Sequence, residues 1–363
     1  MDTGKNELTR RGALGLVGAG TLTALTAPSA LAAGWSPGRW RSQPNATPGM
    51  WSGDLWAPYV ADGTVFTRSV ATMPLASNSA ALAARMPSLP TNHFGVVTSL
   101  NTTAYNIPTY VVDSTVRGCP TVSMRVTRAL PSGSPCPQLD GRIPLPPWAK
   151  PADGGDRSMA VYDRGTGLMR EYFLCAIGSD GTWTAGYGGY YQAAPGFTNL
   201  RSANYPMQLT QGSSAVVSML NPLMQVGISE ARNGRINHAL DFTISNALRG
   251  SSWPAKQGDG TDANPNTPAE GQWFRIPPGL NLKGLKLRPF TLLLAQAAQN
   301  YGGMAGDKNL FCHAFNVEHP VNAIHNYRQN PWTTDILSKY GSLDVNDFPW
   351  ALTQWAPLNW GRP

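Results

Sequence analysis

Three stretches of this chain carry residue types that could move protons, and a strand-rich fold could bring them together. The first is Gly154-Gly155-Asp156-Arg157, leading into a strand-like run that carries Glu171. Alternation in that run puts Glu171 on one face with Phe173 and Cys175, and Arg170, Tyr172 and Leu174 on the other. A carboxyl among apolar neighbours keeps its proton to higher pH and can serve as a general acid. The competing expectation is an ion pair from Glu171 to Arg157 or Arg170 that holds a hairpin in register. The second stretch runs from Glu230 through Gly234 to His238 and Leu240. Here His238, Leu240 and Phe242 share a face, with Ala239 and Asp241 opposite. An imidazole suits proton transfer if an acid partners it, and Glu230 and Asp241 are the nearest acids. A hydrogen-bonded core histidine is the plainer alternative. The third stretch is Gly258-Asp259-Gly260-Thr261-Asp262. Two aspartates in a Gly-rich loop suit calcium, whose oxygen coordination tolerates such loops. Ordinary Asp-Gly turn chemistry explains them as well and is preferred.

The candidate catalytic set is therefore Asp156, Glu171, Glu230, His238 and Asp259. Trp183, Tyr187 and Tyr190, with Arg157, are the candidate substrate-binding set, because aromatic faces stack on sugar rings. No cofactor is expected apart from the calcium alternative. The spacing of His313, His319 and His325 fits no metal signature, and none of the four cysteines is spaced as a zinc site requires. Cys119, Cys136, Cys175 and Cys312 are an even number, which in an exported chain allows two disulfides in three pairings. Cys119 and Cys136 are the expected pair. No Gly-x-Ser-x-Gly elbow points to a serine nucleophile.

Strands must position these groups. Val111–Val116 and Val122–Val126 read as strands, and 131–151 is proline-dense enough to be a surface crossing. Ser158–Tyr162, the turn 163–167 and the run 168–177 form the clearest hairpin. A further turn at 178–181 leads to Thr182–Ala185, so a three-stranded meander is expected. His238–Ile244 and Gln272–Ile276 are further strands. Ser77–Met86 reads as a short helix and Pro289–Tyr301 as a longer one that stops at Gly302-Gly303. The expected fold is mainly β, an antiparallel β-sandwich or jelly-roll-like domain with one or two peripheral helices.

The N-terminus reads as an export leader over residues 1–32. Paired Arg10 and Arg11 precede an uncharged stretch, and Ala30-Leu31-Ala32 suits a signal peptidase. Residues 33–363 then form a single domain, opening with loops that carry Trp35, Trp40, Trp51 and Trp56. Only 13% of residues are charged, whereas Gly and Pro number 38 and 31, which disfavours helical bundles. Hydrophobic residues make up 42% of the chain, which disfavours disorder. The net charge of +7 is dispersed and forms no nucleic-acid stripe. Beyond the leader no segment has the length and apolarity of a membrane span. The sequence sets no oligomeric state.

As an ordered set these motifs resemble a family of exported, mostly actinobacterial, β-rich proteins with twin-arginine signals. Gly155-Asp156-Arg157, Tyr162-Asp163, Glu171 and Asp180–Gly186 carry the first half of the resemblance. Gly234–Leu240, Trp253-Pro254-Ala255, Asp259-Gly260, Glu270-Gly271, Arg275 and Pro289–Asp307 carry the second. Ser158 departs from the pattern, since a histidine is usual there. The resemblance implies a β-rich fold and an extracellular location, and it implies no mechanism. The functional expectation is a secreted enzyme acting on an extracellular polysaccharide, either a glycoside hydrolase with two carboxyls or a lyase with a His or Tyr base. The alternative is a non-catalytic cell-surface or glycan-binding protein.

Overall fold

The structure is a computed structural model that describes residues 47–50, 65–90, 95–128, 136–192 and 208–362. The leader over 1–32 and Trp35, Trp40, Trp51 and Trp56 lie outside the described residues. In chain order the first strands are β1 (Thr98–Asn101), β2 (Thr109–Val112), β3 (Thr121–Val126), β4 (Gly141–Pro144), β5 (Met159–Asp163) and β6 (Leu168–Phe173). Then come β7 (Ala176–Ile177), β8 (Trp183–Ala185), β9 (Tyr187–Gln192), β10 (Gln208–Gly212), β11 (Leu240–Ile244) and β12 (Leu248–Ser251). The last are β13 (Ala269–Glu270), β14 (Trp273–Arg275), β15 (Gly303–Lys308), β16 (His313–Asn316) and β17 (Gln354–Trp355). The helices are α1 (Ser79–Arg85), α2 (Ile228–Asn233), α3 (Pro289–Asn300), α4 (Val321–Tyr327) and α5 (Asp335–Tyr340).

The protein is β-rich, with mixed sheets. A large sheet runs β1-β16-β11-β15-β14-β17, a central sheet β10-β9-β6-β5-β2, and an outer sheet β4-β3-β8-β7, while β12 and β13 pair alone. The purely antiparallel expectation is corrected. β1 with β16, β2 with β5, β3 with β8, β11 with β15 and β12 with β13 are all parallel. Parallel neighbours need crossover connections, which a hairpin-by-hairpin reading does not supply.

The hairpin β5–β6 forms where the turn residues predict it. The Asp163 carboxylate accepts from Gly165 N and from the Ser114 backbone and hydroxyl, and Gly167 takes φ +73. The second strand stops at Phe173 because Leu174 sits at φ +57. Residues 176–185 therefore leave for the outer sheet, and the meander is completed by β9. The proline-dense stretch holds a strand after all. β4 lies at a sheet edge, where a proline removes no ladder bond, and Ile143 and Pro144 are buried.

Three apolar clusters lie between and beyond the sheets. Tyr110, Met159, Val161 and Tyr172 of the central sheet meet Met124, Ile143 and Trp183 of the outer sheet. The other central face, with Val111, Ala160, Tyr162 and Met169, shares a cluster with Ala239, Trp273 and Met304 and the segment Ala215–Met224. Beyond the large sheet, Leu240, Phe242, Phe274 and Phe315 pack against helices. Helix α3 belongs to this core and is not peripheral. Its Phe290, Leu293, Leu294, Ala297 and Ala298 recur at the spacing of one helical face, and all are buried. Pro289 opens it, and Gly302 at φ +71 closes it by donating to the Ala298 carbonyl. Five helices, not one or two, occur among the described residues. None is long and apolar enough to cross a membrane.

The disulfide expectation is also corrected, because Cys119, Cys136, Cys175 and Cys312 are all free thiols. The sulfurs face other partners. Cys136 Sγ lies 3.4 Å from Gln138 Oε1, Cys119 Sγ 3.8 Å from the Pro120 carbonyl, and Cys312 Sγ 3.2 Å from Ser99 Oγ. Cys175 is sealed in the apolar cluster beneath the outer sheet. Burial pushes its thiol up to about 12.

Candidate functional site

His238 and Glu230 do meet, but in a structural role. His238 Nε2 lies 2.8 Å from Glu230 Oε2, and its Nδ1 lies 2.8 Å from the Ala239 carbonyl. Glu230 also accepts from Gly227 N at 3.0 Å and Asn237 N at 3.1 Å. The carboxylate caps α2 and ties the turn after it to the strand, and the imidazole is fully buried. His238 lies on the helix-covered side of the large sheet, with Leu240 and Phe242, as the alternation predicts. Glu171 faces that sheet from its other side. The two groups are not parts of one site.

What joins Glu171 is a set of other acids. Alternation along β6 turns Glu171 with Met169 into the cluster between the central and large sheets. Neither arginine reaches it. Arg170 points to the opposite face, where Nε donates to the Gln138 carbonyl, and Arg157 is exposed. Ser214 Oγ donates to Glu171 Oε2 in a short bond, while Oε1 has no partner. Burial pushes Glu171 up to about 8. The Ser214 bonds act against the rise, and the charge of Asp241 adds to it. Asp241 projects from β11 toward the same interior. It accepts from Asn316 Nδ2 at 2.8 Å, and its Oδ1 is unpartnered. Burial raises it to about 7, helped by the charge of Asp307. Gly306 opposite is obligatory, because a Cβ there would overlap Asp241 Oδ1.

Asp307 links this interior pair to the surface. Its charge also raises Glu270, after burial and the charge of Asp259, and Glu270 stands at about 8. Glu270 Oε2 accepts the backbone N–H groups of Asp259 (2.8 Å) and Gly260 (3.1 Å), and Oε1 has no partner. Gly258 lets the loop close over this carboxyl, since a Cβ would lie 2.6 Å from Oε2. Asp259 reaches solvent, with 39% of its side chain exposed and Lys308 Nζ 3.6 Å from Oδ1. Glu171, Asp241, Asp307, Glu270 and Asp259 therefore form one electrostatically linked row from the interior to the surface. Three of its members hold protons near neutral pH. Proton transfer is the chemistry such a row supports.

No family model, curated protein or solved structure matches this chain.

The remaining expected residues stand apart from the row. Asp156 lies in the turn before β5, where its carbonyl accepts Leu174 N. Trp183 is buried beneath the outer sheet, and Tyr190 packs against that same cluster. Tyr187 lies on the opposite face of β9, under the Arg128 guanidinium at 4.5 Å. These aromatics do not share a groove. Asp262 is fully engaged, accepting from Arg85, Asn246, Thr267 and the Asn264 backbone, and is held down to about 2. Among the described residues no group of three or more His, Cys, Asp or Glu side chains is placed to hold a metal ion. In the sequence Glu270 stands out only through the Glu270-Gly271 pair, near Asp259-Gly260, where a glycine after the acid lets backbone press close, whereas Asp307 is followed by Lys308 and carries no such signal.

Proposed function

We propose that the protein is an exported glycoside hydrolase acting on an extracellular polysaccharide, with Glu270 as general acid and Asp259 as the second carboxyl. The carrying observation is a carboxyl raised to about 8 beside a half-exposed aspartate that keeps a lysine. Glycosidic cleavage needs two carboxyls, one of which keeps its proton near neutral pH. Asp307 would hold Glu270 protonated by its charge, and Lys308 would orient Asp259. The hydrolase form is favoured over the lyase form by the histidines. His238 is tied to Glu230, His313 lies 2.9 Å from the Met86 carbonyl, His319 is buried and held down to about 4, and His325 stacks on Trp148. None of these four faces the acid row as a base. We further read the central and large sheets, which share an apolar cluster, as the two layers of a sandwich-like body.

The test is release of reducing ends from a panel of bacterial and plant polysaccharides. Glu270→Gln should lower kcat by about 10²- to 10⁴-fold, the range of general acid catalysis. Activity should fall as pH rises through about 8, because the acid must be protonated. Turnover that survives Glu270→Gln unchanged would remove Glu270 from the reaction.

A further inference from the structure

A guanidinium without an anion sits where the end of the chain meets the large sheet. Arg68 follows the turn Val65–Thr67 and lays its Cζ 4.0 Å from the ring centre of Trp360 and 5.5 Å from that of Trp273. The two indoles meet edge to face at 5.5 Å. Arg68 Nε and Nη2 are sealed without a hydrogen-bond partner, and so is Trp273 Nε1. Among the described residues these three donor atoms and one permanent positive charge meet no acceptor. Arg170 Nη1 is also unpartnered, but its Nε donates to the Gln138 carbonyl, and two other arginines have partners for the charge or the fork. Arg275 donates to the carbonyls of Val70 and Ala71 and to Gln354, and Arg85 pairs with Asp262. An arginine cannot shed its proton, and a desolvated charge without a counter-charge is unfavourable. Aromatic faces attract the cation but accept none of its in-plane N–H groups.

The surroundings close over the guanidinium. Gly361, at φ +81, brings backbone against the guanidinium, and a Cβ there would lie 2.5 Å from Nη2. Asn359 ties the last turn to the loop after β12, donating to Ser252 Oγ and accepting from Trp253 N, both at 2.9 Å. Trp253 thereby joins Trp360 at the margin of one apolar cluster. Arg68, Trp253 and Trp360 are each only partly buried, and a shift of the Trp360 turn is what would open the sealed Nε and Nη2 to a ligand.

We propose that this cradle is a subsite for the carboxylate of an acidic sugar, a uronate unit of the polysaccharide. The planar fork of Arg68 matches a carboxylate, and the exposed faces of Trp253 and Trp360 suit a pyranose ring. The inference rests on the glycan reading above and names its substrate class. Trp273 follows Glu270 by three residues, so their Cα atoms lie no more than about 11 Å apart.

Calorimetric titration of the full chain with a galacturonate trimer and a glucose trimer tests this. The uronate should bind about tenfold or more tighter than the neutral trimer. Arg68→Met should erase that preference and leave the glucose trimer unaffected, while Arg68→Lys, which keeps charge without the fork, should recover part of it. Equal affinity for both trimers, or an Arg68→Met protein that binds uronate as the native one does, overturns the proposal. A free tripeptide carboxylate that binds in place of the uronate overturns the sugar assignment. If Arg68→Met fails to fold, the native protein decides through tryptophan fluorescence. A salt-sensitive change with uronate and none with glucose supports the site, and identical responses overturn it. Arg68-dependent uronate binding without cleavage of any polysaccharide would sink the hydrolase reading and leave this site standing. Cleavage of neutral glycans with no uronate preference would do the reverse.

Discussion

Glu171 should make the protein less stable as pH rises, and the size of the effect follows from its burial. Its carboxyl stands at about 8 in the fold against an ordinary 4.5, with burial as the main cause. A carboxyl raised in this way contributes stability that is complete below about pH 4.5 and is lost as pH climbs through about 8. At roughly 1.4 kcal/mol per pH unit the total loss approaches about 5 kcal/mol. Between about pH 5.5 and about pH 7.5 it should reach roughly 2–3 kcal/mol. Glu171→Gln keeps the shape and an acceptor for Ser214 but does not titrate. Urea unfolding of the native and variant proteins across this window gives the difference directly. Glu270 titrates in both proteins and largely cancels, while Asp241, whose charge acts on Glu171, contributes to the difference. The native protein should lose ground to the variant by roughly 1.4 kcal/mol per pH unit. Two stability curves that fall in parallel would refute the placement of Glu171 as a buried, protonated acid.

Two further outcomes follow. Gly306→Ala places a methyl group against Asp241 Oδ1 and should destabilise the fold by about 1–3 kcal/mol or more, read as a lowered urea midpoint. A midpoint equal to that of the native protein would mean that the carboxyl lies elsewhere. The four free thiols predict that a reductant leaves Tm unchanged and that a thiol reagent titrates all four cysteines once the chain is unfolded. A drop in Tm on reduction would restore a disulfide.

How much of this was legible depended on the distance over which each group acts. Glu171 could be found because local alternation alone decides which face it takes. The His238 face and the hairpin turn at 163–167 were legible for the same reason. Trp183 was misread as a surface aromatic because its burial comes from the outer sheet, whose parallel β3–β8 pairing no local pattern announces. Asp241 was weighed only as a partner for His238, from which the strand itself separates it. Glu270 and Asp307 gain their chemistry from the β12–β13 pairing and the irregular β11–β15 register, which bring a loop and a strand together across long stretches of chain. Arg68 stood out neither by spacing nor by motif. Its meaning appears only when the partners it lacks can be counted.

The parallel pairing of β1 with β16 bears on how the molecule is made. Asn101 and Asn316, opposite each other in that ladder, are 215 residues apart in the chain. A nascent polypeptide emerging from its ribosome must therefore hold an early strand with a bare edge until 215 further residues have been made. Closure over such a separation is slow, and naked edges invite pairing with neighbouring copies. A chain terminated before residue 313 should accordingly behave as an aggregate-prone fragment and not as a smaller version of the protein.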